Sequence, residues 1–480
     1  MILQADACYR ALKARDARFD GCFFVGVRST RVYCRPICPA KTPRRENCAF
    51  FANAAVAEAH GYRPCLRCRP ELAPGEASVD ANGRLARMAA TALDGGALED
   101  GLASLAASLQ VTDRHLRRVF AAHYGVSPIA YAQTQRLLLA KRLLTDTNLN
   151  VTEIAFASGF GSLRRFNALF RHRYGLNPSS LRRREKRHAH VLSIDAMTFN
   201  LAFRPPYDWS AIVQFLGSRA IDGVEEVSAN EYRRAVRIER RNNIYIGWIA
   251  ISPLGGKAAL RVLVSSSLLN AVGQTLTRVK HLTDVAADPR AIAAVLGPVA
   301  SRHPGLRVPG AFDGFELAVR AIIGQQISVK AARTIAGRFA AAFGPAIETP
   351  FAKVSRLFPS APDVAALETE SIVKLGIVGS RALAITALAR SIARGELILA
   401  PGADVSATLS RLRAIPGVGE WTAQYIAMRA IAWPDAFPHT DLGLRKALRE
   451  KNPAAILKVG EVWRPWRAYA AMHLWTALAS

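Results

Sequence analysis

Apolar positions follow two different rhythms along the chain. Residues 80–187 and 305–480 carry apolar side chains at helical spacing, the second stretch interrupted by Pro and Gly. Residues 190–304 instead hold alternating β-branched stretches such as Arg261-Val262-Leu263-Val264, which predict strands. Residues 1–76 sustain neither rhythm and contain every cysteine. Between the second and third regions, Arg182-Arg183-Arg184-Glu185-Lys186-Arg187 reads as a basic linker. The pattern predicts a multidomain α+β chain of four units: 1–76, 80–187, 190–304 and 305–480. A length of 480 residues, at about 150 per domain, agrees with more than one core.

The first helical region repeats itself. Phe120, Tyr124, Gly125 and Pro128 recur as Phe170, Tyr174, Gly175 and Pro178, 50 residues on each time. Leu105-Ala106 answers to Ile154-Ala155, one residue out of phase. Two copies are a duplication, too few for a solenoid. In each copy a short helix and a turn precede a capped, Arg-rich helix. The first runs from His115 to His123, with Arg114, Arg117 and Arg118. The second follows Gly159-Phe160-Gly161 and Ser162 and carries Arg164, Arg165, Asn167, Arg171 and Arg173. That is the signature of two helix-turn-helix units.

Composition narrows the partner. The net charge is +27, which points to a polyanion. No stretch reaches the ~20 apolar residues of a membrane span, and no basic amphipathic helix or lipidation motif supports a membrane surface. The N-terminus lacks a secretory pattern, so a cytoplasmic protein of a bacterium, associated with its nucleoid, is expected.

Seven cysteines without a secretory signal favour a metal site over disulfides. Cys34-x3-Cys38 and Cys65-x2-Cys68 are two close pairs with 26 residues between them, and two such pairs can close a tetrahedral thiolate zinc site. Cys8, Cys22 and Cys48 read as small buried apolar residues. Lys41, Arg44, Arg45, Arg63, Arg67 and Arg69 flank the pairs. They are either solvated surface or a grip on a phosphate backbone.

Phe19-Asp20-Gly21-Cys22-Phe23-Phe24-Val25-Gly26-Val27, Tyr33-Cys34-Arg35-Pro36 and Tyr62-Arg63-Pro64-Cys65-Leu66-Arg67-Cys68-Arg69-Pro70 resemble the N-terminal domain of Ada-type methylation regulators. The resemblance implies that one zinc-bound thiolate, at the position of Cys34, irreversibly takes a methyl group from a DNA methylphosphotriester. A thiolate is the nucleophile, and a bound cation keeps it deprotonated. Four thiolates on Zn2+ carry a formal charge of −2, and methylating one leaves −1. The lost charge would lower repulsion from DNA phosphates and turn repair into a binding switch. The duplicated region resembles the AraC-type domain, whose two motifs enter successive major grooves. Arg114, Arg117, Arg164, Arg165 and Asn167 are its candidate base or phosphate contacts.

In the last region, Ile415-Pro416-Gly417-Val418-Gly419-Glu420-Trp421 predicts a helix-hairpin-helix: Pro ends one helix, and Gly417 and Gly419 let backbone amides approach phosphate before a second helix starts at Glu420. His439-Thr440-Asp441-Leu442 follows about 20 residues later. With Tyr207-Asp208-Trp209, Arg320-Ala321-Ile322-Ile323-Gly324-Gln325-Gln326-Ile327-Ser328-Val329 and Trp463-Arg464-Pro465-Trp466-Arg467, this resembles AlkA-type 3-methyladenine DNA glycosylases. The resemblance implies a β-rich N-terminal subdomain at 190–304 and a helix-hairpin-helix glycosylase domain at 305–480. It implies Asp441 as the catalytic carboxylate, stabilising positive charge on the sugar; the rival reading is that Asp441 only caps a helix. Related lyases place a nucleophilic Lys where this chain has Trp421, so hydrolysis without strand cutting is expected. Trp421, Tyr425 and Trp475 correspond to the family's aromatic base pocket. An electron-rich ring favours a cationic alkylated base. Gln326 stands where a bulky wedge, often Leu, fills the gap left by a flipped nucleotide, and Gln325 could support it. His303 and His473 read as structural or surface residues.

No cysteine follows Cys68, which excludes the O6-methylguanine transferase unit of longer Ada chains. The expected whole is a fused adaptive-response protein: methyl acceptor, activator and alkyl-base glycosylase. The alternative is a methylation-sensing transcription factor whose C-terminal half only clamps DNA. The expected cofactors are one Zn2+ on Cys34, Cys38, Cys65 and Cys68, and a monovalent cation at the hairpin. Double-stranded DNA, both alkylated and promoter, and RNA polymerase are the expected partners of a monomer.

Overall fold

The computed structural model describes residues 5–479 except 17–18, 71–72, 74–83, 95, 97–100, 110, 148, 186–194 and 241–242. The basic run begins inside the helix Pro178–Glu185, and its remainder lies outside the described residues.

The cysteine-bearing unit is a four-stranded sheet, in the order Cys48–Phe51, Phe24–Val27, Val32–Cys34, Arg63–Pro64. The first three strands are antiparallel and the last is parallel to its neighbour. The sheet therefore delivers the two cysteine pairs side by side: Cys34 ends one strand, and Cys65 follows the strand beside it. Tyr33 is fully buried, edge-on to Phe24 at 5.7 Å, and its hydroxyl donates to Glu58 at 2.9 Å.

The duplicated region folds as two helical units around the 19-residue helix Pro128–Asp146. Both copies use the same local devices. Thr112 and Ser162 cap the second helices, Asp113–Tyr124 and Leu163–Tyr174, and Gly125 and Gly175 end them in the left-handed conformation. Phe120 and Phe170 are both fully buried, each 4.6 Å from the tyrosine one turn on. The first of these helices starts two residues before the expected His115, because Thr112 accepts from the His115 N–H and pulls the helix start back to itself.

A five-stranded antiparallel sheet follows, in the order Ala196–Ala202, Ala259–Ser265, Asn243–Pro253, Glu231–Arg240, Glu225–Ser228. Leu260, Val262 and Val264 are fully buried while Arg261 between them is exposed, the alternation of a one-faced sheet. From Gly314 onward the described chain is helical, and its core contains Ile322, Phe339, Ile385, Leu412, Ile426 and Leu444.

The two halves pack against each other. Leu137, Leu144 and Phe170 of the duplicated region share one buried cluster with Phe199 and Val264 of the second sheet. Arg142 donates to the Asn200 carbonyl at 2.9 Å with its guanidinium 4.6 Å from the Phe199 ring. Arg204, 1 % exposed, donates to the carbonyls of Asp20 at 2.9 Å and Ala286 at 2.5 Å, joining the first unit to the second sheet's unit. Among the described residues, no helix is long and apolar enough to cross a membrane.

Candidate functional sites: a thiolate centre and a carboxylate between indoles

The sulfurs of Cys34, Cys38, Cys65 and Cys68 lie within 4.8 Å of one another, all four side chains are buried, and none is in a disulfide. Tetrahedral thiolates at ~2.3 Å from zinc stand ~3.8 Å apart, so the donor set fits the ion in chemistry and spacing. The crowded thiols differ in acidity. Hydrogen bonding from Cys34, foremost, lowers Cys38 to about 7, and hydrogen bonding to Cys38 pushes Cys34 up. Backbone N–H groups reach three of the sulfurs: Arg67 N to Cys65 at 3.4 Å, Arg35 N to Cys68 at 3.3 Å, and Ala40 to Cys38.

Arg35 is absent from the expected site residues, yet it braces the centre. Its guanidinium is buried, bonds both oxygens of Asp20 and donates to the Cys68 carbonyl at 3.2 Å. The Tyr-Cys-Arg-Pro run flagged it, but only the fold shows its partner 15 residues upstream. Arg44 and Arg67 are exposed. Arg45 is partly committed: its guanidinium lies 5.2 Å from the Phe50 ring, and its Nε reaches Asp6 at 3.2 Å. Cys8 and Cys48 are buried and Cys22 is half-buried.

In the helical pair, Arg114, Arg117, Arg164, Arg165 and Asn167 are all exposed on the second helices. Arg117 pairs with Asp113 at 2.9 Å, one turn back.

In the C-terminal domain, helix Val405–Ala414, a turn and helix Glu420–Arg429 form the hairpin. Gly417 takes φ +89°, which requires glycine, and Gly419 is extended. Arg413 grips Glu420 bidentately at 2.7 and 2.9 Å. These bonds outweigh the effect of burial and hold the Glu420 carboxyl below its ordinary range. Gln326 is exposed at φ +55° in the turn ahead of helix Val329–Phe343. Its neighbour Gln325 donates from one nitrogen to the Gly417 carbonyl and the Thr422 hydroxyl, both at 2.9 Å, so the turn carrying Gln326 is fastened to the hairpin.

Asp441, Trp421, Tyr425 and Trp475 come together from three helices. Asp441 caps helix Leu442–Leu448, its Oδ1 accepting from Leu444 N at 3.0 Å. The same Oδ1 accepts the Trp475 indole N–H at 2.8 Å, and Oδ2 accepts the Trp421 indole N–H at 2.7 Å. Asp441 thus caps the helix and accepts both indole N–H groups in one arrangement. Trp421 and Tyr425 stack on each other, centroids 5.3 Å apart and planes within 10°. A base stacking on Trp421 would have to use the opposite face. Arg429 donates to the Tyr425 hydroxyl at 2.7 Å. Burial raises that phenol's pKa, but the charges of Arg429 and Arg219 prevail and it lies below its ordinary value. Helix Arg467–Ala479, which carries Trp475, is anchored by Arg467 on Asp435 at 2.7 and 2.9 Å and by Tyr469 on Asp284 at 2.8 Å. His473 is buried and His303 half-buried, and neither reaches Asp441 among the described hydrogen bonds.

Four families match successive segments: the metal binding domain of Ada over residues 7–71, a helix-turn-helix domain over 105–184, the AlkA N-terminal domain over 198–313 and the HhH-GPD superfamily of base excision DNA repair proteins over 319–454. The Escherichia coli "DNA-3-methyladenine glycosylase 2" is 32 % identical over 277 residues, covering 58 % of this chain and 96 % of that protein. The Escherichia coli "Bifunctional transcriptional activator/DNA repair enzyme Ada" is 38 % identical over 146 residues, covering 29 % of this chain and 38 % of that protein. The "Probable bifunctional transcriptional activator/DNA repair enzyme AlkA" of Mycobacterium tuberculosis is 37 % identical over 486 residues, 98 % of this chain and 96 % of its own length. The chain therefore belongs to the family of bifunctional transcriptional activator/DNA repair enzymes in which an Ada-type front is fused to an AlkA-type glycosylase.

Proposed function

We propose that this protein excises alkylated bases of the 3-methyladenine type by hydrolysis at Asp441, repairs methylphosphotriesters at Cys34, and passes the second event to transcription through its helix-turn-helix pair. The observation that carries the glycosylase reading is the carboxylate of Asp441 held by two indole N–H groups and a backbone amide. Three donors fix the direction of the carboxylate. Oδ1 accepts two bonds and Oδ2 one, so Oδ2 keeps the freer lone pair for the reacting sugar. As the C1′–N bond breaks, positive charge grows on the sugar and the fixed anion stabilises it. Water then bonds to C1′ and releases a proton, while the base departs with the bonding pair. Trp421 offers no amine for a Schiff base, which supports hydrolysis over strand cutting.

At the other site, the Cys34 sulfur attacks the methyl carbon of the triester. The S–CH3 bond forms, the C–O bond breaks, and the oxygen leaves as a phosphodiester anion. Bound zinc would keep the thiolates deprotonated at neutral pH. Cys34 opens the first cysteine pair of the segment that matches the metal binding domain of Ada, which supports it as the acceptor. Exposed Arg44 and Arg67 would meet the phosphates, and Arg114, Arg117, Arg164, Arg165 and Asn167 the promoter. Gln326 would fill the gap beside a flipped nucleotide, and the hairpin backbone at Gly417 and Gly419 would hold the strand, with a monovalent cation there. A monomer that contacts RNA polymerase completes the reading.

The test is base release from methylated duplex DNA by the wild type and Asp441→Asn. Loss of about 10²-fold or more in kcat with DNA binding retained is expected. Equal release by both would show that the carboxylate is not the catalytic group, and would favour a C-terminal half that only clamps DNA.

A further inference from the structure

Resting on the assignment of Asp441 above, we propose that Gly443 is a positioning residue for base excision: its missing side chain lets the Trp475 indole close onto the Asp441 carboxylate. Gly443 is the second residue of helix Leu442–Leu448 and lies outside the left-handed region. Backbone geometry therefore does not call for glycine, and glycine weakens a helix relative to alanine. Space does call for it. A Cβ at this position would stand 2.9 Å from Asp441 Oδ1, 3.0 Å from Trp475 Cδ1 and 3.2 Å from Trp475 Nε1. Oδ1 and Nε1 are the acceptor and donor of the 2.8 Å bond between these two side chains. The added carbon would press on the bond itself.

Neither partner is free to yield. Oδ1 is also bound by the Leu444 amide at 3.0 Å, and Oδ2 by Trp421 at 2.7 Å. Trp475 rides on a helix pinned through Arg467 to Asp435 and through Tyr469 to Asp284. Closeness is not general among the glycines here: a Cβ on Gly419 would meet nothing within 4 Å. A methyl group at Gly443 would lever the indole away, strip Oδ1 of its side-chain donor and let the carboxylate turn from the sugar.

The experiment uses the full-length, zinc-loaded chain and follows release of a methylated purine from duplex DNA. Gly443→Ala is expected to lower kcat at least about tenfold while KM changes less than about threefold. Trp475→Phe lacks the N–H, so adding Gly443→Ala to it should change kcat by less than about twofold. The Trp475 indole N–H proton resonance should move upfield in Gly443→Ala, as a lost hydrogen bond requires. Wild-type kcat in Gly443→Ala, or an undiminished loss in the Trp475→Phe background, overturns the proposal. If Asp441→Asn is inactive and Gly443→Ala is not, only this inference falls. If Asp441→Asn is active, the assignment of Asp441 falls with it. Should Gly443→Ala not fold, Trp475→Phe alone tests the same bond, and undiminished kcat in it is the overturning result.

Discussion

The Asp441 carboxylate takes its bearing from two tryptophans that touch it through their edges. A hydrogen bond to a charged group contributes about 1.5–3 kcal/mol, so under the proposed mechanism each indole N–H matters to the reaction as much as to the fold. Trp421→Phe keeps a ring for stacking on Tyr425 but removes the 2.7 Å bond to Oδ2. We expect kcat for base release to fall about tenfold or more, with DNA affinity nearly unchanged in a binding titration. The residue types at this site were legible from the sequence, because Asp441 follows a recognisable hairpin and Trp421 lies inside it. Their mode of contact was not. Residue spacing does not say whether an indole offers a neighbour its face or its N–H. For the same reason the role of Gly443 and the partner of Arg35 were not legible, since both are set by the meeting of separate elements.

At the scale of elements, the duplicated helices were legible because their signals are local. Caps, a left-handed Gly and a repeated Phe and Tyr all act within one or two turns. Thr112→Ala and Ser162→Ala should each cost about 1 kcal/mol by thermal or denaturant unfolding of the full chain, with matching loss of promoter affinity. The helix that carries Trp475 is held differently, by a buried ion pair. Arg467 is 5 % exposed and its carboxylate partner Asp435 8 %. Asp435→Ala leaves the buried guanidinium with only the half-exposed Glu461 at 3.4 Å and should cost about 3 kcal/mol of stability, measured by denaturant unfolding. Base release should fall with it, because Trp475 moves with that helix. The sequence showed the Trp463 to Arg467 string only as a likeness, since its partner at Asp435 lies in a loop without periodic signal.

Across the whole molecule, the sensor front is bonded to its neighbours by buried groups. Glu58 accepts from Tyr33 at 2.9 Å within its own unit and from Thr134 at 3.2 Å in the helical unit. Burial raises its carboxyl from 4.5 to about 7, despite the opposing hydrogen bond from Tyr33. The folded chain thus holds this proton more tightly than the unfolded one. The stabilisation is complete below about pH 4.5 and is lost as pH rises through about 7, an effect on the order of 3 kcal/mol. Glu58→Gln should flatten the pH dependence of unfolding over that window, and an unchanged slope would contradict the assignment. Arg204 makes the second junction, and Arg204→Ala should open the seam at Asp20 and Ala286 to limited proteolysis. The four units were legible from the sequence, while their packing was not, because no local pattern announces an arginine that crosses between domains. The proposed function puts two independent repair chemistries on one chain. The most direct measurement incubates the protein with DNA bearing both lesions and reads protein mass and released base from the same tube. The wild type should gain one methyl group on Cys34 and release methylated purine, Cys34→Ala should lose only the first, and Asp441→Asn only the second. A methyl group carried elsewhere than Cys34, or base released undiminished by Asp441→Asn, would contradict the account.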